Sequence, residues 1–218
     1  MTSRTSFLDR RRRIFAAAVA LSLLPITACT GGGTTPGATT APGSSRPTAS
    51  PTPTATPTPT ASYKPADASG RAQNVPVPVL PEAAKAETKE GSIAFAKHWF
   101  DMLSYGYETG ELAQFEAVTS PSCEPCEKAK SVIRAWHTEG RWLIGGKITT
   151  PSVSSEFVRD VDATYQVVVQ AQQTPLTYMR QDASVARSDP QPDDTGNLLF
   201  VTFSGGIWTV ANVGRIVG

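Results

Sequence analysis

Apolar positions follow a helical rhythm in one part of this chain and alternate in another, and the change of rhythm divides it. From Thr88 to about Tyr105 the pattern predicts a helix. Ile93, Ala96, Phe100, Leu103 and Tyr107 recur three or four apart, and Phe95, Trp99 and Met102 widen the stripe. Lys97, His98, Asp101 and Ser104 fall on the opposite, polar side. Thr88 is a good N-cap, since its hydroxyl can accept from an N–H of the first turn, and Gly110 breaks the pattern. A short helix is expected from Glu111 to Val118 with Leu112 and Phe115 apolar. A third is expected from Ser120 or Ser122 to about Thr138, carrying Ala129, Val132, Ile133 and Trp136, with Gly140 ending it. Beyond it, Arg141 to Ser154, Thr164 to Gln173, Leu198 to Phe203 and Ile207 to Val213 are rich in β-branched and aromatic residues. Tyr165, Val167 and Val169 alternate with Gln166, Val168 and Gln170, and Gly205-Gly206 reads as a hairpin turn. Arg180 to Asn197, with Asp189, Asp193 and Asp194, reads as an exposed loop, with room for a short strand before it, rather than a calcium site, because the acidic spacing is irregular.

Three helices followed by about four antiparallel strands predict an α+β domain. The expected architecture is three N-terminal helices packed on one curved, cone-like sheet, after a disordered N-terminal third. By fold-level analogy it resembles the ketosteroid-isomerase-like cone. The domain is expected over residues 88–218. Residues 63–87 form an extended, proline-rich lead-in, in which Val77 and Leu80 are expected to be buried.

The first 62 residues follow neither rhythm. Residues 1–13 are rich in arginine, and Ile14 to Ile26 is an apolar run too short for a comfortable membrane span. Ile26-Thr27-Ala28-Cys29 resembles a bacterial lipobox, which implies a signal peptide over 1–28, cleavage after Ala28 and lipid, palmitate among the acyl groups, on Cys29. Arg12-Arg13-Ile14-Phe15 also resembles a twin-arginine export motif. Residues 29–62 then hold the lipidated cysteine and a Thr/Pro/Gly-rich linker, expected to be disordered, spanning about 30 Å as a coil and roughly 100 Å extended. The expected location is extracytoplasmic, anchored to the outer face of the cytoplasmic membrane.

Charge changes the picture only after processing. The whole chain is +1, but residues 1–28 hold five arginines against one aspartate, so the mature chain is −3. An acidic body lacks the basic face that nucleic acid requires. Cys123-Glu124-Pro125-Cys126 sits where a helix begins, so its Cα atoms would lie about 5 Å apart, within disulfide reach. Outside the cell a structural disulfide is expected. Thiol-disulfide exchange is the alternative, although such motifs normally follow a strand. Zinc would need more ligands than His98 and His137 supply at these spacings. His98 reads as a solvated partner of Asp101, and His137 as a cation at a helix C-terminus.

Pro81-Glu82-Ala83-Ala84-Lys85, Thr88-Lys89-Glu90-Gly91, Trp99-Phe100-Asp101, Thr109-Gly110 and Ser122-Cys123 with Cys126 resemble an uncharacterised family of actinobacterial lipoproteins, over roughly residues 75–215. That family carries a domain of unknown function. It implies the layout and the location, and brings no catalytic residue, cofactor or metal. Trp99, Tyr105, Trp142 and Trp208 are the candidate pocket residues, with core packing as the alternative. No catalytic motif is present in the sequence. The leading expectation is therefore a non-catalytic envelope module that binds a protein, a wall polymer or a small apolar ligand, with a homodimer as a further option. The alternatives are a cone-fold isomerase- or hydrolase-like enzyme using Asp101 or Tyr105, and a thiol-disulfide exchange protein.

Overall fold

The computed structural model describes residues 61–216. The segment expected to be a signal peptide, Cys29 and the expected linker as far as Thr60 lie outside the described residues. Helix α1 spans Lys89–Thr109 and starts where Thr88 accepts a hydrogen bond on its side chain from the Gly91 N–H at 3.0 Å. It ends one turn later than the apolar stripe predicts, on Gly110 in the left-handed conformation. Helix α2 is Ala113–Ala117 and α3 is Glu124–Trp136, with Pro125 in its first turn, where a missing N–H costs nothing.

The expected single sheet of about four strands does not form. Seven strands make two sheets. They are β1 (Trp142–Gly145), β2 (Ile148–Ser154), β3 (Tyr165–Gln173), β4 (Leu176–Met179), β5 (Val185–Asp189), β6 (Thr195–Ser204) and β7 (Ile207–Ile216). One sheet has the order β2-β3-β6-β7 and the other β1-β4-β5. The cone-like arrangement of helices on one sheet is thereby corrected, and the reason is local. The run Arg141–Ser154 breaks at Gly145-Gly146, where φ is +80° and +73°. Opposite that break, β3 gives way to β4 across Thr174-Pro175. A Cβ on Gly145 would collide with the Pro175 carbonyl oxygen, so only glycine permits this close corner. The Gly146 N–H donates to Pro175 O at 3.0 Å and the Thr174 N–H to Lys147 O at 2.9 Å. Thus β1–β2 and β3–β4 are two long paired strands bent together, and the bend sends their ends into different sheets.

The main core lies between α1, the start of α3 and the four-stranded sheet. Tyr165, Val167 and Val169 point into it, as the alternation predicts, and Gln166, Val168 and Gln170 point out. A smaller cluster of Leu143, Leu176 and Tyr178 packs with Val132, Trp136 and Tyr107. Tyr107 also touches the main core and so joins the two clusters. In β7 a bulge leaves Ala211 without a partner, since Val201 pairs with Val210 and Phe200 with Asn212. The extra residue shifts the alternation, so that Val213 follows Val210 in pairing with an inward-facing neighbour, Leu199. Gly205 and Gly206 both have positive φ and form the tight β6–β7 turn.

Three further expectations are corrected. The stretch read as an exposed loop from Arg180 to Asn197 contains β5, an edge strand with few buried side chains. His98 is buried rather than solvated. Val77 and Leu80 of the lead-in are 48% and 40% exposed rather than buried, and Val79 between them is 84% exposed.

Candidate functional site

The two cysteines form a disulfide with Cα atoms 5.3 Å apart. Cys123 is the N-cap residue of α3 and Cys126 lies in its first turn. Both residues are buried, which disfavours exchange chemistry. Beside them α1 presents Trp99. Its indole N–H donates to Thr119 Oγ1 at 2.9 Å, and that hydroxyl donates to Phe115 O at 2.6 Å. With its polar atom satisfied inward, the rest of the Trp99 ring is free to form an apolar wall. Trp99, Phe100, Leu103, Cys126, Ala129 and Val213 line a cleft of about 160 Å³ between α1, α3 and the sheet, with Asn197 its one polar lining residue.

A second feature is built by the lead-in on the other side of α1. Lys64 and Gln73 pair as an antiparallel bridge. Arg71 donates to His137 O at 3.2 Å and to Arg141 O at 2.8 Å, and the Trp142 indole N–H donates to Asp67 O at 3.0 Å. These bonds pin the lead-in to the domain. Tyr63 donates its hydroxyl to Glu108, and that bond, with burial, pushes the Tyr63 pKa up to about 12. Residues 75–80 then run extended over α1 with hollows on either side. One hollow, of about 290 Å³, is lined by Val75, Pro76, Pro78, Asp101, Tyr105 and Lys147 among others. The other, of about 170 Å³, is lined by Val77, Met102, Tyr105, Glu111 and Phe115. The strap is therefore a ridge with Tyr105 beneath it.

Asp101 lies at the edge of the larger hollow. Desolvation raises its pKa, partly opposed by His98, Lys147 and Lys97. Burial lowers the pKa of His98, with Asp101 opposing. His137, read as a cation at a helix end, is instead held by desolvation below its ordinary value. Its Nε2 lies 3.0 Å from Tyr107 O and its buried Nδ1 has no hydrogen-bond partner.

The four aromatic candidates are therefore distributed through the molecule. Trp99 walls the apolar cleft, and Tyr105 lies between the strap hollows. Trp208 is buried in the main core and its indole N–H donates to Ala86 O at 3.2 Å, while Trp142 is buried beneath the lead-in. Cys29 lies outside the described residues. Sequence reasoning missed the exposed strap valines, because proline alternation announces an extended backbone and not its outward side. It also missed Glu108, although its place seven residues after Asp101 puts both on one helix face. Nothing in the pattern marks Lys147. Among the described residues no cluster of three or more His, Cys, Asp or Glu could hold a metal ion, and no helix is long and apolar enough to cross a membrane.

A family model matches residues 61–214, and the chain belongs to that family: DUF6318, a family of unknown function. No curated protein matches the chain. Among solved structures, the intermembrane space region of the chloroplast protein ARC6 aligns at 11% identity with a TM-score of 0.40, over 60% of this chain and 98% of that one.

Proposed function

We propose that this protein is an exported lipoprotein of the actinobacterial type, cleaved after Ala28 and held by lipid on Cys29, whose domain is a non-catalytic module that docks an envelope protein across the strap at residues 75–80. The observation that carries the docking reading is the outward row Val77, Val79 and Leu80 on the strap. Prolines 76 and 78 remove the N–H groups from one edge of the strap, which favours recognition by side chains there. A proline-stiffened ridge loses little freedom on binding and suits a partner surface bearing aromatic residues. Asp101, Glu108 and Glu111 border the hollows against the single Lys147, which favours a partner that is also basic.

Two experiments test the reading. A photo-crosslinking residue at position 79 of the full chain in cells should give one discrete protein adduct, through aromatic or basic residues of the partner, that Glu111→Lys abolishes. Adducts no stronger than those from the fully exposed position 161 would refute docking at the strap. Labelled palmitate should enter the wild-type chain and not Cys29→Ala; label in both would refute the anchor.

A second reading, acid–base chemistry at Asp101 with Tyr105, is favoured by one observation: both side chains line the same hollow and the carboxyl is held above its ordinary pKa.

A further inference from the structure

We infer that the cleft beside the Cys123–Cys126 disulfide is a binding subsite for the end of an aliphatic chain drawn from water. This cleft opens on a different face of α1 from the strap, although Phe115 lines both it and the smaller strap hollow: α1 presents Tyr105 to the strap and Trp99 to the cleft. The cleft is walled by side chains of three elements, the buried Trp99 and Phe100 from α1 and Cys126 from α3, with the partly buried Ala129 from α3 and Val213 from β7. The surroundings give that wall its permanence. The disulfide fixes the first turn of α3, the Thr119 hydroxyl fixes the indole of Trp99, and the bulge at Ala211 puts Val213 in register with Leu199. An apolar cavity held open by such supports is a pre-formed site.

Its size sets the ligand. At roughly 30 Å³ for each water-sized group, about 160 Å³ holds about five carbons. Apart from Asn197, the lining offers phenylalanine, leucine, proline and tryptophan surfaces, which make contact without hydrogen bonds and match an alkyl segment. A chain already in a bilayer gains nothing by moving into an equally apolar cleft of this size, whereas one in water does. The ligand is therefore a single-tailed, water-borne molecule, and its affinity should rise about fourfold per carbon until the cleft is full.

The test uses the full chain carrying Cys29→Ser, so that no attached acyl group competes. The probes are straight-chain carboxylates of four to ten carbons with a terminal bromine, which quenches tryptophan fluorescence at contact. The expected result is saturable quenching whose dissociation constant falls about fourfold per carbon up to five or six carbons, then levels. Trp99→Phe should lose most of the quenching. Ala129→Phe, which fills the cleft, should abolish binding with its melting temperature retained; should that variant unfold, Val213→Phe replaces it. Quenching that never saturates, that keeps strengthening to ten carbons, or that survives the filled cleft would overturn the inference. Bilayers of brominated phospholipid should not quench Trp99, and quenching by them would overturn the water-borne source.

Discussion

Replacing Thr119 by valine removes one hydroxyl and leaves the side-chain shape nearly unchanged, so it isolates the polar link that orients Trp99. Thr119 is 5% exposed and Trp99 3% exposed. In the variant the indole N–H has no acceptor and no water to replace it. A typical hydrogen bond contributes about 1 kcal/mol, and a buried donor left unpaired costs roughly 1–3 kcal/mol. Phe115 O loses the Thr119 hydroxyl but keeps a longer contact from the Val118 N–H at 3.4 Å, so the larger loss falls on the indole. The expected destabilisation is about 2–3 kcal/mol. Thr119→Ser keeps the hydroxyl and loses one methyl, which should cost only about 1 kcal/mol. Urea unfolding of the full chain, followed by far-ultraviolet circular dichroism, reads the difference as a midpoint shift of roughly 1 M between the variants. The cycle with Trp99→Phe completes the test, because Thr119→Val should cost at least about 1 kcal/mol less once the indole donor is gone. Equal losses for valine and serine, or equal cost in both backgrounds, would refute the claim that this bond positions the cleft wall.

Gly145→Ala should destabilise by about 3 kcal/mol or more, through left-handed strain plus collision with Pro175, whereas Gly205→Ala, with open space around it, should cost only about 1 kcal/mol; paired urea curves compare them. Reducing the Cys123–Cys126 bridge opens a loop of sequence separation 3 and should lower stability by about 2 kcal/mol, seen as a melting temperature lower by roughly 4–8 °C. The Asp101 carboxyl has a folded pKa above its unfolded one, so its ionisation opposes folding. Asp101→Asn should therefore stabilise the domain at pH 7, and the gain should fade as pH falls through the carboxylate range; a gain that persists at pH 3 would contradict the desolvation account.

Where one physical cause governs a position, the sequence is readable. Thr88 as a cap, Gly110 as a stop, the alternation at Tyr165, Val167 and Val169, and the Gly205-Gly206 turn each follow from local chemistry, and each is found in the structure. The architecture depended on less local causes. Gly145-Gly146 was present in plain view, but a strand-like run does not tell that its two halves join different sheets until Pro175 is seen opposite. Val185–Asp189 pairs at an edge, so solvent relieves it of the apolar alternation that would have revealed it. His98 lies on the polar side of the helix by spacing, yet neighbouring elements cover it. Of the candidate sites, Trp99 and the cysteine pair were legible as types of residue. Their convergence with Val213 required a bulge that spacing cannot announce.

The bent pair of long strands also divides the domain in time. Beyond the corner the buried groups are the small cluster of Leu143, Leu176 and Tyr178 together with Trp142 and Met179, while the other side rests on the whole main core. Amide protons in β1 and β4 should therefore exchange with solvent through a local opening hinged at Gly145-Gly146 and Pro175, at a lower free energy than those of Val167 and Val169, which must await unfolding of the whole domain. A short unit that opens while its neighbour stays closed would release the lead-in's ties to Trp142 and Arg141, while those to Glu108 and His137 hold.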